Sequence, residues 1–110
     1  MAESKLLESV LTGSSTDDKT DTPRMWRVLI HNDDFTTQDF VVWILETVFN
    51  LPRADAVTIM MHVHQTGLGV AGLFTHDVAE TKARHTRQPA EQHEFPLLVT
   101  IEPAHEDAHQ

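Results

Sequence analysis

Two groups of residues in this 110-residue chain have the chemistry to hold or transform another molecule: the run Asn32-Asp33-Asp34-Phe35-Thr36, and His64. The run sets two carboxylates beside an amide, and adjacent carboxylates repel one another unless solvent or a cation lies between them. Such a corner attracts an ammonium group. Asn and Asp at this density also make ordinary turns, and the run alone leaves both readings open. Val57, Met60, Met61 and His64 recur at i, i+3, i+4 and i+7, which predicts a histidine facing inward on an apolar helical stripe. A buried histidine needs a hydrogen-bond partner, and a satisfied core histidine without a ligand is the alternative reading.

Taken together, the acidic run, the inward histidine and the Met/Val surface suit a group that is cationic at one end and apolar at the other. A polypeptide N-terminus with a large apolar first side chain is such a group. Charge-assisted hydrogen bonds contribute about 1.5–3 kcal/mol each, and burying a Leu or Phe side chain contributes a similar amount. Two or three such bonds and one filled slot, less the cost of immobilisation, give an affinity near micromolar, about -8 kcal/mol. That is the strength of a reversible receptor.

Other chemistries fare worse. An enzyme would use Asp33 or Asp34 as base and His64 as acid, but the sequence supplies no nucleophile, phosphate loop or oxyanion motif beside them. A metal site would start from His62 and His64. On a helix an i, i+2 pair points about 200° apart, so the two cannot share one ion. His85, His93, His105 and His109 stand in polar context and are expected to be solvated. No cofactor is expected.

The elements that position these residues follow from changes in periodicity. Trp26, Val28 and Ile30 alternate with Arg27, Leu29 and His31, predicting a strand that stops at Asn32-Asp33-Asp34. Thr36 and Asp39 resemble a capping box, and Phe40, Val41, Ile44, Leu45, Val48 and Phe49 form the stripe of a first helix. Pro52 suits the first position of a second helix, which Gly67 closes. Leu68 to Thr75 reads as a strand with one or two irregular positions, and Thr75 can cap a third helix with Asp77 in its first turn. Pro89 is expected to end or kink that helix, and Leu97, Val99 and Ile101 mark a last strand. The order βααβαβ predicts an α+β fold, a three-stranded, mostly antiparallel sheet packed with three helices.

Residues 24–103 are therefore expected to form one domain, between a flexible N-terminal arm over 1–23 and a tail over 104–110. Gly13 to Thr22 is too polar to offset the entropy of ordering it, whereas Leu6, Leu7, Val10 and Leu11 have helical spacing in a segment too short for a stable isolated helix. With 8 Lys and Arg against 17 Asp and Glu, a formal charge of -9, nucleic acid and anionic membranes would be repelled. The absence of Cys fits a reducing compartment, and neither a signal peptide nor a membrane span is recognisable, so a cytoplasmic protein is expected.

Val28-Leu29-Ile30-His31-Asn32-Asp33-Asp34-Phe35-Thr36, then Met60-Met61-His62-Val63-His64, Gly72-Leu73-Phe74-Thr75 and Val78-Ala79-Glu80-Thr81-Lys82, in this order and spacing, resemble the ClpS family of proteolytic adaptors. The resemblance runs from about Arg27 to Glu102. It implies a non-enzymatic, monomeric receptor for N-degrons, substrates beginning with Leu, Phe, Tyr or Trp, which it delivers to a Clp AAA+ unfoldase of the ClpA or ClpC kind. By matching position, Asn32, Asp33 and His64 would hold the α-amino group. Asp34, Thr36, Gln38, Val41, Met60, Val63 and Leu97 would line the side-chain pocket, and Asp77 and Lys82 would meet the unfoldase. Thr37 and Gln38 stand where the family commonly has Pro and an apolar residue, and Ala71 replaces a frequent Cys. A plainer interaction module, similar to the C-terminal domain of the ribosomal stalk protein, is the alternative.

Overall fold

A computed structural model describes residues 23–104; the N-terminal segment read as an arm and the end of the chain lie outside the described residues, apart from Pro23 and Ala104. Strand β1 (Met25–His31) is followed by helices α1 (Gln38–Thr47) and α2 (Arg53–Thr66), strand β2 (Leu68–Thr75), helix α3 (His76–Gln92) and strand β3 (Leu98–Pro103). This is the βααβαβ order that the periodicity predicts. The sheet order is β2-β1-β3, with both pairings antiparallel. The first strand thus lies in the middle, and the two later strands flank it.

One face of the sheet carries the core. Val28, Ile30, Ala71 and Val99 project from it into a cluster with Phe40, Val41, Ile44, Leu45, Phe49, Met60 and Val63 from the first two helices and Ala79, Ala83 and Ala90 from α3. The irregularity expected in β2 is a register shift opposite Val28 and Leu29, which pair with Gly72 and Val70 and leave Ala71 as the extra residue. Small residues let α3 lie close to the sheet, and its buried stripe is alanine apart from Thr86, whose hydroxyl donates to the Lys82 carbonyl at 2.9 Å.

Local chemistry moves four expectations. The cap of α1 is Thr37, not Thr36: its hydroxyl accepts from the Phe40 N–H at 3.1 Å, because Thr36 is already bound to Asp33. Pro52 is the N-cap of α2, with ψ 152°, and Arg53 is the first helical residue. The buried stripe of α2 is Ala56, Met60 and Val63, turned from the expected one, so Val57 and His64 are exposed. Pro89 lies inside α3, which runs on to Gln92. One turn beyond the proline buries Ala90, and the Phe95 N–H donates to the Ala90 carbonyl at 2.8 Å, so packing near the helix end outweighs the one lost hydrogen bond.

Two glycines are required where α2 meets β2. Gly67 adopts φ +97°, the left-handed conformation that ends a helix, and its N–H donates to the Val63 carbonyl at 2.8 Å. At Gly69, a Cβ would come within 2.6 Å of Val63 Cγ2, a stiff β-branched group. The strand can approach α2 this closely because that atom is missing.

Candidate functional site

The loop between β1 and α1 is organised by Asp33. Its Oδ1 accepts from the Phe35 and Thr36 N–H groups, both at 2.7 Å, and its Oδ2 accepts from the Thr36 hydroxyl at 2.8 Å. Partial burial by itself would raise the pKa of this carboxyl, but the bonds from the Thr36 N–H, the Thr36 hydroxyl and the Phe35 N–H together outweigh it and hold the value below the usual aspartate range. Asp33 is therefore a fixed negative charge. A carboxylate has about four acceptor positions, so these three bonds leave one on Oδ2 for another donor. The preceding residue is tied down as well: the Asn32 N–H donates to the Gly67 carbonyl at 3.0 Å, which holds the end of β1 against the end of α2.

That tie brings the two sequence groups together. Asn32, Asp33, Asp34, Thr36, Gln38, Val41, Met60, Val63 and His64 line one cavity of about 260 Å³. Its floor is apolar, built from Val41 on α1 and from Met60 and Val63 on α2, all buried. Its remaining walls are polar, with two carboxylates and no Lys or Arg among the lining residues. His64 reaches the cavity from the next position along α2, i+4 from Met60, on the exposed side of that helix. An exposed histidine at a cavity wall needs no internal partner, which removes the core-histidine alternative. The volume lies just below the range of about 300–1,000 Å³ typical of drug-sized ligands. It suits one side chain and the backbone group attached to it.

Leu97 is not among the residues lining this cavity; it is buried in the core just before β3. Asp77 and Lys82 lie on α3, away from the cavity lining. The Asp77 side chain is fully exposed. Lys82 is engaged: its Nζ donates to the Val48 carbonyl at 2.7 Å, at the C-cap of α1, and sits 5.7 Å from the Phe74 ring centre. The sequence carries no local sign of that contact, which joins residues 34 positions apart.

His62 is exposed, and the only group of potential metal ligands among the described residues is a different one, His76, Asp77 and Glu80. Asp77 approaches His76 Nδ1 and Glu80 approaches His76 Nε2, each at 3.7 Å.

A family model described as ATP-dependent Clp protease adaptor protein ClpS matches residues 21–100. The chain belongs to the ClpS family. Similar proteins named ATP-dependent Clp protease adapter protein ClpS include one from Myxococcus xanthus, 46% identical over 86% of this chain and 89% of its own length. Another, from Desulfotalea psychrophila, is 54% identical over 78% of this chain and 84% of its own. Among solved structures, Agrobacterium tumefaciens ClpS2 bound to L-phenylalaninamide superposes with a TM-score of 0.72 at 34% identity, covering 74% of this chain and 99% of that one. The family is one of adaptors rather than enzymes, so no catalytic role attaches to Asp33, Asp34 or His64, and the stalk-domain alternative is set aside. No helix among the described residues is long and apolar enough to cross a membrane.

Proposed function

We propose that this chain is a receptor for N-degrons, binding proteins whose first residue is bulky and apolar and handing them to a Clp AAA+ unfoldase. One observation carries the reading: an apolar floor of Val41, Met60 and Val63 lies beneath a mouth that holds two carboxylates, an asparagine and a histidine. The free acceptor position of Asp33, the Asn32 side chain and the His64 ring take the α-ammonium and first peptide group, while the floor takes the side chain. Asp34, Thr36 and Gln38 form the rim. Leu97 supports the floor from the core rather than touching the ligand. A first residue of Leu, Phe, Tyr or Trp combines enough apolar surface with a size suited to a cavity of about 260 Å³.

Asp77 offers an exposed charge to the unfoldase, and Lys82 takes part through the surface that it holds in place at the junction of α1 and α3. The chain works as a monomer, with residues 24–103 as its binding domain. A chain without Cys that carries a charge of -9 is suited to the cytoplasm.

The test is a titration with fluorescent peptides that differ only in their first residue, each prepared with a free and an acetylated amine. Free-amine peptides beginning with Leu or Phe bind near micromolar affinity, and acetylation weakens them at least tenfold, because it removes the charge and two of the three donors. Equal binding of the free and acetylated forms would refute the reading.

A further inference from the structure

A second cavity, of about 360 Å³, is lined by Asp39, Phe40, Trp43 and His93. Its lining is aromatic rings and one carboxylate, with no Lys or Arg. Phe40 is buried and forms the floor, its ring centre 5.8 Å from that of Trp43 and 5.4 Å from that of His93. Trp43, 46% exposed, and His93, also exposed, are the walls, and Asp39 lies one turn before Trp43 on the same face of α1. The turn that carries His93 is fixed by the backbone. The N–H groups of His93, Glu94 and Phe95 donate to the carbonyls of Pro89, Glu91 and Ala90 at 3.1, 3.0 and 2.8 Å, and Glu94 takes the left-handed conformation, φ 60°, that closes α3. Behind the cavity, the Phe95 ring packs edge-on against Phe40 at 4.9 Å and lies 14° from the plane of His93. The rings are thus held in one cluster, and solvent still reaches Trp43 and His93.

Exposed aromatic faces beside a carboxylate select a flat, weakly hydrated cation. Ring faces are negative and attract a cation within about 6 Å of the ring centre, that of Trp most strongly. A guanidinium stacks on such faces and offers paired N–H groups to a carboxylate, whereas an ammonium is compact and strongly hydrated. An anionic group would be repelled by Asp39, and a purely apolar one would cover that carboxylate without supplying a partner. Arginine is the side chain that fits. The place of the cavity says whose arginine it is. Gln38, on the rim of the first cavity, and Asp39 are consecutive residues. With about 100° between successive helical residues, Gln38 and Val41 face the first cavity while Asp39 and Trp43 face the second, on opposite flanks of α1. A helix with its side chains is about 10–12 Å across, and an extended chain advances about 3.4 Å per residue. A chain whose first residue fills the first cavity therefore crosses the start of α1 within about three or four further residues.

We propose that this second cavity is a subsite for an arginine at about the fourth residue of the same substrate whose first residue is held at Asp33, an inference that rests on the receptor function proposed above. The full-length protein is titrated with fluorescent, free-amine, Leu-initiated peptides carrying arginine at the third, fourth or fifth position. Matched peptides carry citrulline there, which keeps the shape and removes the charge. The expected result is that arginine binds tighter than citrulline by about fivefold or more at one of these positions. Asp39→Asn and Trp43→Ala each bring that ratio close to unity, while the citrulline peptides bind both variants and the wild type alike. A ratio near unity at every position in the wild type, with the citrulline peptides still bound through their free amine, would overturn the subsite alone. So would a ratio that survives both substitutions, because arginine would then be answering to the overall charge of -9. Citrulline peptides that bind equally with free and acetylated amines would refute the receptor function, and the subsite with it. An independent readout uses the two Trp of the chain. The indole N–H NMR signal of Trp43 moves with the arginine peptide and not with the citrulline one, while that of Trp26 stays in place; a Trp43 signal indifferent to the arginine would count against the subsite.

Discussion

At the scale of the residue, Asp33 has two roles that are separable by experiment. Three donors within the loop fix its carboxylate, and the same carboxylate gives the cavity mouth its permanent charge. Asp33→Asn keeps an acceptor for the two N–H groups but loses the bond from the Thr36 hydroxyl and the charge. A stability loss of about 1–2 kcal/mol at neutral pH is expected by urea unfolding. Because the carboxyl is held below its unfolded value of about 3.9, its contribution is fully present above that pH and is lost as the pH falls through the folded value. The gap between wild type and variant should therefore narrow as the pH falls below the unfolded value, and a gap of constant size would show that ionisation of Asp33 contributes nothing. Gln38 is the other informative residue. An amide at the rim is costly to cover with an aliphatic side chain, so Gln38→Met is expected to strengthen binding of Leu-initiated peptides relative to Phe-initiated ones about threefold. An unchanged ratio of dissociation constants would remove Gln38 from the rim.

At the scale of the element, the cavity depends on how α1 and α2 are held apart and against the sheet. The missing Cβ of Gly69 lets β2 approach Val63, and the Asn32–Gly67 bond joins the end of β1 to that of α2. On the far side, Lys82 fastens α3 to the C-terminal end of α1. Its ammonium meets an orphan carbonyl where the helix dipole is negative, a favourable placement for a cation. Lys82→Met retains most of the stem and removes the donor and charge. A loss of about 1 kcal/mol in thermal or urea unfolding is expected, with peptide affinity changed less than twofold because the cavity lies elsewhere. If stability is unaffected while unfoldase binding fails, Lys82 is a contact residue only and the capping bond is unimportant.

At the scale of the whole molecule, sign and layering matter most. A chain of formal charge -9 attracts a cationic chain end from a distance, and the two carboxylates at the cavity extend that attraction to the site itself. Raising the ionic strength from about 20 mM to about 300 mM shortens the screening length to within the site's own dimensions. The association rate for free-amine peptides should fall several-fold while the dissociation rate hardly moves. Rates that respond equally, or not at all, would mean that steering plays no part. Layering separates the two faces of the sheet: helices on one side enclose the core and the cavity, and Leu68, Val70, Leu73 and Leu98 stay exposed on the other strand surfaces.

How far the sequence alone determined this protein follows from the range of the interactions involved. Every strand and helix was legible, because hydrophobic period, Gly67 and the run after His31 act within a few residues. Most of the cavity was legible too, since motif positions carry residue type and spacing. What tertiary structure decided was orientation and engagement: that His64 stands exposed at a wall, that Leu97 is buried in the core, that Lys82 is bound to a carbonyl 34 residues away, and that Pro89 continues a helix. Periodicity fixes a stripe only to within about one position, and it is the fit of Ala56, Met60 and Val63 against the sheet that chooses the final rotation of α2. Such choices belong to contacts between elements distant along the chain, and no local pattern encodes them.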